Sequence, residues 1–183
     1  MGREIIFEVQ MDGKTCWPDP DNIDEALFVC GRDDATTYIA QLVCDQINEK
    51  LKADKNLTTD DLQDSDYAIL LTCNDYNKYL EIKRNLKEYY YKDMKEIQKA
   101  KDTLEDLKEA RRHTTTIKDF EDFTASMEET EDWIERNDYS RAGSLIECLD
   151  KCYNRMLDYV NLDGNEDREA VINKYKVAII LSE

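Results

Sequence analysis

Over the first dozen residues Ile5, Phe7, Val9 and Met11 alternate with Glu4, Glu8 and Gln10. That two-residue period is the signature of a strand with one face buried. Asp12-Gly13 follows, the favoured pair for a type I′ turn, so 3–11 and 14–17 are expected to form a hairpin. Pro18-Asp19-Pro20-Asp21-Asn22 ends the second strand. The apolar run 26–30, Ala26-Leu27-Phe28-Val29-Cys30 before Gly31, predicts a buried strand, and Tyr67 to Cys73 (67–73) another. Tyr175, Val177, Ile179 and Leu181 alternate with Lys176, Ala178 and Ser182, which predicts a last strand over 174–182.

Helical periodicity fills the remainder. Asp33 or Asp34 is placed to cap a helix reaching about Ala53, with Tyr38, Ile39, Leu42, Val43, Ile47 and Leu51 on one face. From Asn74, read as an N-cap, to about Arg112 neither Gly nor Pro occurs. Tyr79, Leu86, Tyr90, Met94, Ile97, Leu104 and Leu107 share one side of that helix, which would be roughly 50–55 Å long. Thr116 and Asp119 resemble a capping box opening a second helix, with Ile117, Phe120, Phe123, Met127 and Ile134 on its apolar side. Asn137 or Asp138 opens a third, carrying Ala142, Leu145, Ile146, Leu149, Cys152, Tyr153, Met156 and Val160 in register up to Asp163-Gly164. The expected architecture is α+β: one domain spanning 1–183, with a small, mostly antiparallel sheet and one packed helix. A three-helix excursion over about 75–160 leaves the sheet and returns for the last strand, and is expected to form a bundle.

Composition narrows the classes. The chain of 183 residues has 41% hydrophobic residues and eleven tyrosines, enough for a core and too many for an acidic disordered chain. The start is charged within three residues of its apolar positions, so no secretory signal is read. Ile6 stands where the Met1-Gly2 myristoylation pattern needs Ser or Thr. With no export signal and no long apolar run, Cys16, Cys30, Cys44, Cys73, Cys148 and Cys152 are read as reduced thiols of a cytoplasmic protein, most of them small core residues.

Charge is the most distinctive property. Twenty-five bases against forty-two acids leave a net charge of −17. Residues 78–112 carry eleven bases and eight acids, +3, so the rest of the chain sums to −20. Residues 113–136 hold eight acids and two bases. Within them Glu121, Glu128, Asp132 and Glu135 fall on one stripe, read as opposite the apolar side, where like charges repel at helical spacing. The field of such a chain repels polyanions, so direct nucleic-acid binding is not expected. On the long helix Arg84, Lys87, Tyr91, Lys95 and Lys99 share a side with Glu88 and Asp102, the pattern of a salt-bridged solvent face.

Reaction chemistry finds little support. Five glycines form neither phosphate-cradling pattern, and His113, the single histidine, is expected to meet the last carbonyls of the long helix. Cys148 and Cys152 are four apart but lack further ligands at zinc spacing. No cofactor or metal is expected. The expected function is therefore a non-enzymatic acidic binding protein that inhibits or regulates a nucleic-acid-handling protein by presenting Glu121, Glu128, Asp132 and Glu135 to its basic surface. A phage-encoded inhibitor of restriction or CRISPR-type nucleases, working in the host cytoplasm, would be such a protein. The alternative is a structural or adaptor protein, a homodimer formed through the apolar stripe of the long helix.

Overall fold

The computed structural model describes residues 3–182; the myristoylation reading at Met1-Gly2 lies outside the described residues. In chain order the elements are β1 (Arg3–Met11), β2 (Lys14–Trp17), β3 (Leu27–Gly31), α1 (Asp34–Ala53), β4 (Ala68–Leu71), α2 (Tyr76–Arg112), α3 (Ile117–Asn137), α4 (Arg141–Leu162), α5 (Arg168–Lys174) and β5 (Tyr175–Ser182). The fold is α+β, with all five expected strands in place. Two compact units divide it: one holds residues up to Lys87 and from Arg141 onward, the other Glu88–Ser140.

In the first unit every strand pair is antiparallel. The sheet runs β2-β1-β5-β4, and β3 pairs with β1 through Arg3 to Phe7, beyond the Val9–Met11 segment that pairs with β2. Asp12 and Gly13 have φ of 51° and 78°, the double left-handed turn that splices two twisted strands. Ile5, Phe7 and Val9 of β1, Val177 and Ile179 of β5, Ile69 and Leu71 of β4 and Val29 of β3 are buried. Register puts them on one face, and α1 and α4 pack against the sheet. α4 contributes Ala142, Leu145, Leu149, Cys152, Tyr153 and Met156 to the core, all fully or almost fully buried.

That placement corrects the expected three-helix bundle: α4 spends its apolar face on the sheet, and the second unit is a hairpin of the α2 segment from Glu88 with α3. The expected α4 start at Asn137 or Asp138 is also early by a few residues, since the helix opens at Arg141. The Asn137 side chain turns back to donate to the Trp133 carbonyl at 2.7 Å, so it ends α3 instead of opening α4. Asn74 is not the cap of α2. Thr72 caps a 3-10 turn, Cys73–Asp75, by accepting from the Asn74 N–H, while Asp75 accepts from the Thr72 N–H at 2.8 Å. Helix α5 was not expected; Asp167 caps it by accepting from the Ala170 N–H. The 26–30 strand is not buried: β3 lies at an edge of the sheet, and Phe28 and Cys30 are exposed while Val29 faces the core.

The edge strands β4 and β3 are each tied down by a helix side chain. Gln46 of α1 donates to the Ala68 carbonyl of β4 at 2.7 Å. Arg141 of α4 donates through Nε to the Cys30 carbonyl of β3 at 2.9 Å and lies 3.6 Å from the Asp33 carboxylate. Asp33 in turn caps α1 by accepting from the Thr36 N–H at 2.9 Å. A Cβ on Gly31 would meet Arg141 Cδ at 2.4 Å, so the glycine leaves the channel through which the arginine reaches the strand. One side chain thus joins β3, α1 and α4.

After α4, Arg168 donates to the Val160 and Asp163 carbonyls at 2.8 and 3.0 Å, satisfying helix-end acceptors. The Asp163 carboxylate accepts from the Asn165 N–H, the Tyr175 hydroxyl and Lys174 Nζ. These partners hold its pKa below the ordinary value, the Asn165 N–H most of all.

Two outcomes are expected. Arg141→Ala should lower the urea midpoint by the equivalent of about 1 kcal/mol, since a charge-assisted bond to a carbonyl is lost at a half-exposed site. Asp163→Asn should be less stable than the parent near neutral pH. A depressed carboxyl stabilises above its unfolded pKa, so the gap should close as pH falls below about 4. Urea midpoints measured as a function of pH check it.

Candidate functional site

Helix α3 is capped by Thr116, whose hydroxyl accepts from the Asp119 N–H at 3.1 Å. The cap exists, though only this half of the expected box is formed. Met127 is buried, Phe123 and Ile134 are half-buried, and Ile117 and Phe120 are exposed. At about 100° per residue Glu121, Glu128, Asp132 and Glu135 fit within an arc of about 60°, centred about 110° from Met127. The stripe therefore occupies a flank of α3 and does not lie opposite its buried side. All four residues are exposed.

Their own chain neutralises little of this charge. Asp132 pairs with Arg136 at 3.5 Å, both largely exposed, an interaction of marginal strength in water. Glu121, Glu128 and Glu135 take part in no ion pair among the described residues. Asp119, Asp122, Glu129 and Glu131 are exposed as well, so carboxylates cover most of the solvent arc. The stripe is one part of an acidic helix, and its residues are brought together by helical spacing alone.

On α2, Arg84, Lys87, Lys95 and Lys99 are exposed and make no ion pair among the described residues. The salt-bridged face expected there is a solvated one, and pairs form nearer the helix end, as in Lys108–Glu105 and Arg112–Glu109. His113 is exposed and lies 2.9 Å from Glu109 through Nε2, not at the helix carbonyls. With Arg112 it holds the Glu109 carboxyl below its ordinary pKa. The exposed ring takes the nearer anion, which α2 supplies one turn back.

A polar group in the first unit joins α2 to α4, and periodicity alone could not have assembled it. Tyr79 donates to Asp150 at 2.6 Å and Lys83 reaches the other Asp150 oxygen at 2.7 Å. The Tyr79 and Tyr153 rings stack with centroids 4.0 Å apart. Burial, then the Asp150 hydrogen bond, raises the Tyr79 pKa; burial pushes Tyr153 up to about 12; and the Asp150 hydrogen bond raises Lys83. All three stay protonated across neutral pH. The group fastens two helices, and none of the three is poised to exchange a proton in that range.

Burial pushes the Cys148 thiol up to about 11 and Cys152 higher still. These two are core residues, as expected, but the other four are not: Cys16 and Cys73 are half-buried, and Cys30 and Cys44 are exposed. Among the described residues no three His, Cys, Asp or Glu side chains form a group able to hold a metal ion, and no helix is long and apolar enough to cross a membrane. On the sheet face away from α1 and α4, a hollow of about 400 Å³ is lined in part by Leu70 and Ile180, with Glu8, Asp12, Asp64 and Lys176 around it. With both charge signs and no buried unpaired group aimed into it, it defines no ligand.

No family model, curated protein or solved structure matches the chain. The candidate site therefore rests on geometry and charge.

Thiol accessibility checks the local packing. A thiol reagent at mildly alkaline pH should label Cys30 and Cys44 of the folded protein rapidly, and Cys148 and Cys152 only on unfolding. Mass spectrometry of the labelled peptides reads the order.

Proposed function

We propose that the chain is a non-enzymatic, acidic binding protein of the cytoplasm that regulates or inhibits a nucleic-acid-handling protein by occupying its basic surface. The observation that carries this reading is the run of exposed Glu121, Glu128 and Glu135 on α3, unpaired among the described residues and joined by Asp132. Like charges at this spacing each cost a helix a few tenths of a kcal/mol, and lysines there would relieve the cost. Their retention is accounted for if the carboxylates meet a cationic partner, where complementary charge speeds encounter and sets orientation. The net charge of −17 adds a long-range field of the same sign. A phage-encoded inhibitor of a restriction or CRISPR-type nuclease has this chemistry.

The test compares capture of basic proteins from a host lysate by the parent chain and by the variant Glu121→Lys/Glu128→Lys/Asp132→Lys/Glu135→Lys. Its helicity, checked by circular dichroism, should persist because lysine is a good helix former. A partner of the proposed kind should be released by rising salt and by heparin, and should bind the variant at least about tenfold more weakly. Equal capture by both proteins removes the reading.

A further inference from the structure

The hairpin formed by Glu88–Ser140 has a thin interior: its buried residues are Ile97, Met127 and Ser140. Tyr90, Met94 and Leu104 of α2 are half-buried, so much of the apolar stripe expected to drive self-association is drawn in by packing within the chain. A different face is left open. Trp133 of α3 is 40% exposed and stands in a groove of about 510 Å³ lined also by Ala100, Thr103, Thr130 and the charged Glu96, Lys99 and Glu129. Half-buried Leu107 and Ala110 of α2 and Phe123 of α3 continue this side of the hairpin. Positions 100, 103, 107 and 110 on α2, and 123, 126, 130 and 133 on α3, follow the alternating three-and-four spacing of a helix seam.

The hydroxyls of this face are already satisfied. Thr103 donates to the Lys99 carbonyl at 2.9 Å, Ser126 to Asp122 at 3.0 Å and Thr130 to Ser126 at 2.8 Å. Covering the groove would strand none of these hydroxyls, which removes the main cost of burying them. The charges at its margin remain available: Glu96, Lys99 and Glu129 are exposed and make no ion pair among the described residues.

We infer that the Trp133 face is a homodimer interface, in which two hairpins pack face to face as a four-helix bundle. The groove carries both signs of charge, Lys99 with Glu96 and Glu129, and so admits a second copy as the occupant. Lys99 and Glu129 line the same groove. A two-fold axis running along the helices lays α2 of one copy on α3 of the other and sets Lys99 against Glu129 twice. That is the self-complementary pattern an isologous contact requires. A uniformly acidic or basic groove would repel its own copy. Size agrees too. Twenty-one residues make α3 about 31 Å long, and two helices side by side are about 20 Å wide. The flat face is about 600 Å², and side-chain relief carries it towards the roughly 800 Å² per partner of a standard interface. Trp133 lies about 130° around α3 from the centre of the acidic stripe, so pairing leaves that stripe accessible.

Sedimentation velocity across a dilution series of the full chain tests the assignment. The parent should move from monomer to dimer as concentration rises. Trp133→Glu should weaken the dimer at least about thirtyfold, as expected for a central tryptophan anchor. Because that change could also disturb the hairpin, a charge pair supplies the second readout. Lys99→Glu should weaken dimerisation severalfold, and Lys99→Glu/Glu129→Lys should restore it to within about threefold of the parent. A parent that stays monomeric throughout overturns the proposal, as does a dimer indifferent to Trp133→Glu or a double swap that fails to rescue. Substituting the four acidic stripe residues by lysine should leave the dimer intact, so loss of partner binding and loss of pairing can be told apart.

Discussion

The sheet depends on the pairing of β1 with β5. These are the first and last strands in chain order, yet they lie side by side in the centre and stay in register from Glu4 with Ser182 to Met11 with Tyr175. Their inward residues, Ile5, Phe7, Val9, Val177 and Ile179, are almost completely buried. A one-residue slip would turn that row outward and bring Glu4, Glu8 and Lys176 towards α1 and α4. β2 and β3 are placed by β1, and β4 by β5. The turn around Asp163 supports the same pair, because its carboxylate holds Lys174 and Tyr175 where β5 begins.

Against that apolar centre, the two units manage charge differently. In the first, charged groups near the core are paired: Lys83 with Asp150, Lys50 with Asp66, Arg141 with Asp33 and Lys174 with Asp163. In the second, the pairs lie mostly within one helix and near the surface, as in Lys108 with Glu105, Arg112 with Glu109 and Arg136 with Asp132, and α3 carries its carboxylates over most of its solvent arc. A helix with so little interior gains little stability from these acids. Its apolar and acidic sides act over different ranges. Apolar contact needs close fit and dry packing, whereas charge acts over about 8–10 Å at ordinary ionic strength.

Much of the architecture was legible because local signals agreed. The alternation in β1 and β5, the Asp12-Gly13 turn and the Asp33 cap each belong to a few adjacent residues, and each forms as read. The misreadings have a common origin in distant contacts. Ala26–Cys30 has the composition of a buried strand, but only its pairing with β1 reveals that it is an edge. The apolar side of α4 looks the same whether it faces helices or a sheet. Asn137 could begin a helix or end one, and the direction of its amide decides. For the candidate site, spacing was enough to gather Glu121, Glu128, Asp132 and Glu135, but not to show Arg136 against Asp132. The Trp133 groove was missed because threonine and serine read as polar, until their hydroxyls are seen turned back onto α2 and α3.

The central place of β5 also bears on synthesis. As the chain leaves the ribosome, β1, β2 and β3 emerge early and can form a small hairpin assembly, with Ile5, Phe7 and Val9 still lacking their β5 neighbours. Helices close on local contacts within microseconds, so α2 and α3 can form while the sheet waits. The middle of the sheet can fill only after β5 has been translated, and such long-range closure is slow. Until then the apolar row of β1 stays uncovered on one side, an unpaired edge of the kind that sticks to other chains.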